Sequence, residues 1–107
     1  MSAPDLQGKV DLMAKLFRGR LPVRFEKMNE ALAACQAGAA DPQAGLTELH
    51  RLLHSLAGAA GTFGLDGLGQ QAKEIEHQVA ALLANGQHSD ADLARIGQAL
   101  HTLQSKN

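Results

Sequence analysis

The chain predicts an all-α fold: an antiparallel four-helix bundle with a short additional N-terminal helix. Three observations predict it. Apolar residues recur at spacings of three and four nearly end to end. The hydrophobic share is 45%, most of it Leu and Ala, with β-branched residues scarce and Phe the sole aromatic, a mix that favours helix over strand. The pattern breaks at turn-forming stretches, "AGAADP" at 37–42 and "NGQ" at 85–87.

Each element follows from its own residues. The first segment, roughly Asp5 to Arg18, places Leu6, Val10, Met13 and Phe17 at helical spacing. Pro22 suits the first turn of a second helix, where its missing N–H costs little, and Phe25, Met28, Leu32 and Cys35 share one face of that helix. The first helix then acts as a cap on the bundle or as an extension of the second. A third helix begins near Pro42 or Gln43 and runs to about Phe63, with Gly64 as its stop residue. The fourth runs from about Asp66 to Ala84, with Leu68, Ala72, Ile75, Val79 and Leu82 inward. Ser89 is a good N-cap for the last, with Asp92 three residues on as an acidic relative of the capping box. Leu93, Ile96, Leu100 and Leu103 form its stripe. Helices apolar on one side only pack antiparallel around a shared core when their turns are short.

The 107 residues suit one domain, taken as 1–107. A formal net charge of −1 leaves no large basic surface for nucleic acid, and no base-stacking platform is visible. The lone cysteine, Cys35, falls on an apolar stripe and reads as core; it is compatible with a reducing compartment. No apolar run approaches the length of a membrane span. The opening "MSAPDLQGKV" lacks the layout of a secretory signal. The expectation is a cytoplasmic, monomeric domain that binds neither nucleic acid nor membrane.

The third helix holds the informative passage, "HSLAGAAGTFG" at 54–64. On a wheel of about 100° per residue, Leu46, Leu49, Leu53, Leu56, Ala60 and Phe63 share the core sector. His54 points about 130° away from it, toward water or a partner. Around it stand Ala57, Gly58 and Gly61, none larger than a methyl. Gly58 and Gly61 together forgo about 2 kcal/mol of helix propensity. Two things can offset that: close helix packing, or access for a macromolecule that must approach His54. An imidazole in water titrates near about 6.5, so its neutral form is available as a nucleophile near neutral pH. A ring nitrogen can hold a phosphoryl group as a covalent intermediate, and such transfer is mostly positioning and charge stabilisation.

"HSLAGAAGTFG" resembles the signature of the histidine-containing phosphotransfer (HPt) domain of bacterial two-component phosphorelays. That signature runs roughly H-x-L-K-G, followed five residues later by a bulky apolar residue and Gly. His54, Leu56, Gly58, Phe63 and Gly64 fit it. "LDGLGQQAKEIE" at 65–76 resembles the next helix of the family, with Leu68, Ala72, Ile75 and Glu76 in the usual places. The resemblance implies a four-helix bundle with His54 as the phosphorylated residue and Gly58 giving clearance. It implies no kinase activity of the chain's own. The domain would relay a phosphoryl group between receiver-domain aspartates of response regulators or hybrid kinases. Magnesium would belong to the receiver, and this chain would bind no cofactor. The pattern departs at Ala57, where the family commonly has Lys. Arg51, three residues before His54, is a possible substitute counter-charge, with Lys73 on the next helix a weaker one.

On this reading Ala57, Gly58 and Gly61 are the shelf on which a receiver sits. Leu53 and Leu56 anchor the helix, and His50 and Arg51 edge the docking surface. One alternative is a docking bundle that binds a receiver or kinase without carrying phosphate. Another is a metal site on His50 and His54, four apart on one face, but "HRLLH" lacks the Glu of H-E-x-x-H. His77, His88 and His101 read as solvated. Glu74 and Glu76 diverge on a helix and make a poor acid/base pair. Arg18, Arg20 and Arg24 read as a solvated basic turn.

Overall fold

The computed structural model describes residues 3–36 and 41–107. They form five helices and no strand: α1 Ala3–Gly19, α2 Leu21–Gln36, α3 Pro42–Thr62, α4 Asp66–Asn85 and α5 Asp90–Lys106. Helices α2 to α5 pack in a ring, each against two neighbours, with α3 and α4 the most extensively paired. Most of the "AGAADP" break falls at 37–40, outside the described residues.

The ends of the helices show why the chain turns where it does. Asp41 caps α3 by accepting a hydrogen bond from the Ala44 N–H at 3.2 Å, with Pro42 in the first turn. Gly64 takes φ +75°, the left-handed conformation that closes α3, and Leu65 N–H then reaches back to Ala60 O at 2.8 Å. Gly86 does the same for α4 at φ +71°. The Ser89 N–H donates to Asp92 Oδ2 at 2.9 Å, and the Asp92 N–H donates to Ser89 Oγ at 3.1 Å. That reciprocal box starts α5.

The core is the stripe that each helix turns inward. Leu46, Leu49, Leu53, Leu56 and Ala60 of α3 are fully buried. Ile75 and Val79 of α4, Leu93, Ile96, Leu100 and Leu103 of α5, and Met28 and Leu32 of α2 join them. No polar or charged residue is buried among the described residues. Cys35 lies in this core. Its Sγ–H faces Ala31 O and Pro42 O, each at 3.4 Å, and burial pushes the thiol pKa up. Phe25 is half-buried against the core.

The N-terminal helix departs from the expectation in length and in packing. At 17 residues α1 equals α5. It extends α2 rather than capping the bundle, with a break at Arg20, whose N–H bonds Phe17 O at 3.1 Å. Phe17 alone of its stripe is buried, against Phe63 with ring centroids 5.4 Å apart and the Arg24 guanidinium 5.1 Å over its ring. Leu6, Val10 and Met13 are exposed, as are Leu12 and Leu16. Periodicity marks one face of a helix as apolar, and here too few of the described residues reach that face to cover it. The long axis of 56 Å against 22 and 21 Å follows from α1 running beyond the bundle. Among the described residues no helix is long and apolar enough to cross a membrane.

Candidate functional site

The middle of α3 presents one imidazole rigidly. Leu53 and Leu56 are 0% exposed and fix the helix rotation. The residue after Leu53 must then point outward, and the His54 side chain is 76% exposed. Its orientation is set from the next helix. His54 Nδ1 lies 2.8 Å from Glu76 Oε2 on α4. The Glu76 side chain is only 13% exposed, and the same oxygen lies 3.5 Å from His50 Nε2. The two imidazoles stack nearly parallel with centroids 6.4 Å apart. A carboxylate only accepts, so Nδ1 carries the proton in the neutral ring. The lone pair is left on Nε2, on the opposite side of the ring.

Beside this ring the surface is bare. A Cβ built on Gly58 or on Gly61 would meet nothing within 4 Å. Neither glycine is therefore there to let another helix approach. Gly69 of α4 plays that part instead. A Cβ on it would lie 3.4 Å from Ala57 O and 3.5 Å from Ala60 Cβ. This close pass of α4 brings Glu76 under His54. The result is an open depression of about 460 Å³ lined by His54, Ala57, Gly58, Gly61, Asp66, Gly69, Gln70, Lys73 and Glu76.

His54, Ala57, Gly58 and Gly61, named from sequence, line this one depression. His50 joins it through Glu76. Arg51 does not. Its guanidinium donates to the Glu48 carboxylate, through Nε at 3.0 Å and through Nη2. That pairing raises the arginine pKa and holds the Glu48 carboxyl below the usual range. Arg51 lines a different groove, on the α2 side, with Arg20, Arg24, Lys27 and Ser55. The basic turn is thus partly organised: Arg24 Nη1 approaches Ser55 Oγ at 3.5 Å. His77 and His101 are exposed, whereas His88 is half-buried with Nδ1 enclosed and unpartnered, unlike the solvated reading.

Sequence reasoning noted Glu76 only as a position of the following helix and a poor partner for Glu74. It missed Glu76 as the residue that holds His54. A signal was present: His54 and Glu76 stand nearly equidistant from the Gly64 turn, which is where an antiparallel pair of helices meets. Among the described residues no group of three or more His, Cys, Asp or Glu is arranged to hold a metal ion.

In comparisons with known proteins, the family model for the Hpt domain matches residues 12–106. The comparison with curated proteins and that with solved structures returned no significant match.

Proposed function

The chain belongs to the Hpt domain family, with its phosphotransfer-related role in two-component signalling, and we propose that His54 is the phosphoryl carrier of a relay between receiver-domain aspartates. The observation that carries this reading is an exposed imidazole, held at Nδ1 by Glu76, beside glycines whose missing side chains would touch nothing.

The chemistry follows from those groups. Nε2 attacks the phosphorus of a receiver aspartyl phosphate. An N–P bond forms as the P–O bond to the carboxylate breaks, and the carboxylate leaves with the electron pair. The ring gains positive charge while Nδ1 keeps its proton, and the Glu76 carboxylate at 2.8 Å offsets that charge. The reverse sequence passes the group to a second aspartate. The receiver supplies magnesium and the acidic pocket, and the Gly58–Gly61 shelf lets that pocket close on Nε2. His50 and the shelf residues form the contact surface. The cytoplasm, where receivers reside, is the compartment this role requires.

A transfer assay tests the proposal. The chain is incubated with magnesium and several phosphorylated receiver domains, and phosphate is mapped by mass spectrometry. The expected result is acid-labile, base-stable label on His54 that vanishes in His54→Gln. Label on His50 would contradict it. So would a parent protein that binds the phosphorylated receivers yet takes up no label, which would make the chain a docking module instead.

A further inference from the structure

Resting on the reading of His54 as carrier, we propose that Lys73 of α4 supplies the positive charge that holds the phosphoryl group on this chain. A phosphoryl group on Nε2 adds nearly two negative charges to a depression already lined by Asp66 and Glu76. Such a site needs a cation within reach, and α3 provides none on that side. The position three residues after the histidine is Ala57. Arg51 is bound to Glu48 and lines the other groove.

Lys73 lines the depression itself and is the sole cation among its lining residues. The helix register places it at the right height. Gly69 of α4 lies against Ala57 O, Ala60 and Gly61, and Glu76 lies against His54. Because α3 and α4 run antiparallel, Lys73, between those two contacts, stands level with Ala57 across the shelf. It is one turn from Glu76 and shares its face. The lysine absent from α3 is thus matched by one from the neighbouring helix at the same level. Lys73 is exposed and makes no ion pair among the described residues, so its ammonium is available. Gln70, one turn further, can add an amide donor from the same face.

The test uses phosphoramidate, a small anionic donor that needs no protein docking. The rate of His54 labelling and the half-life of the phosphohistidine are measured in the whole chain. Label on His54 in the parent protein tests the carrier reading separately, and its absence would remove the ground for both proposals. Given that label, Lys73→Ala is expected to lower the rate and half-life by about tenfold, the loss of one charge-assisted contact. Lys73→Arg should retain both, and Ala57→Lys placed in the Lys73→Ala background should restore them. Arg51→Ala should change neither. Parental rate and half-life in Lys73→Ala would overturn the proposal. So would an Arg51→Ala defect as large as that of Lys73→Ala, or no rescue by Ala57→Lys.

Discussion

Two sets of glycines on α3 carry opposite messages. At Gly45, near the start of the helix, a Cβ would lie 2.6 Å from Cys35 Sγ and 2.9 Å from Ala31 O. At Gly58 and Gly61, near its end, a Cβ would meet nothing within 4 Å. The first glycine lets α2 and α3 approach, and packing explains it completely. The other two lower helix propensity with no packing in return. Under the proposed relay, their bareness leaves room for a receiver to come close to His54. The residue type is the same in all three places, and the environment decides which kind of constraint it answers.

The sharpest way to break this contrast is to fill the packed position. Gly45→Ala should destabilise the fold by about 1–3 kcal/mol, the range for overpacking a tight core contact, read as a lower urea midpoint. Adding Cys35→Ala removes the Sγ clash but not the carbonyl one, so the double variant should recover only part of the loss. Full recovery would mean that the thiol alone requires the glycine.

Next in size is the chemistry beside the bare glycines. Glu76→Gln keeps the shape and removes the charge at Nδ1, so transfer from a phosphorylated receiver should fall about tenfold with the urea midpoint nearly unchanged. A large stability loss with unchanged transfer would make Glu76 a structural residue.

The bare glycines themselves should respond in the opposite sense to Gly45. Gly58→Ala and Gly61→Ala should each stabilise the fold by up to about 1 kcal/mol while slowing transfer from a protein donor. If either destabilises, the shelf is packed after all and the contrast fails.

The smallest effect lies away from both regions. The Asp92 carboxyl is held below the usual carboxylate range, first by the Ser89 N–H and then by the Ser89 side chain. Its contribution is present above the unfolded pKa of about 3.9 and is lost as pH falls through the lower folded value. The gap in Tm between the parent and Asp92→Asn should therefore hold at pH 6 and close in strong acid. A gap that widens on acidification would reverse the sign of the cap.

The fold was largely legible from the sequence because its signals are local. Ser89, Asp92, Leu93, Ile96, Leu100 and Leu103 define α5 by capping and periodicity, and all behave as their spacing implies. The glycine stops at 64 and 86 were equally local. α1 shows where such reasoning ends. Its period is helical, yet Leu6, Val10 and Met13 stay exposed among the described residues, since periodicity names a face and not what covers it. In the site, the bare surface beside His54 followed from one helical wheel. Glu76 did not, because its contact depends on how α4 registers against α3. Arg51 was adjacent on the wheel, but its tie to Glu48, an i, i+3 pair, turns it from the ring.

The claim that the Gly58–Gly61 shelf exists for access is tested most directly by comparing two donors on one variant. A Cβ at Gly58 would meet nothing within 4 Å and the residue is exposed, so the helix should tolerate Gly58→Leu. His54 labelling is followed with phosphoramidate and with a phosphorylated receiver that labels the parent protein. The account predicts a phosphoramidate rate within about twofold of the parent and a receiver rate lower by about tenfold or more, the cost of misplacing a docked donor. Equal rates from the receiver in parent and variant, or an equal fall with both donors, would contradict it.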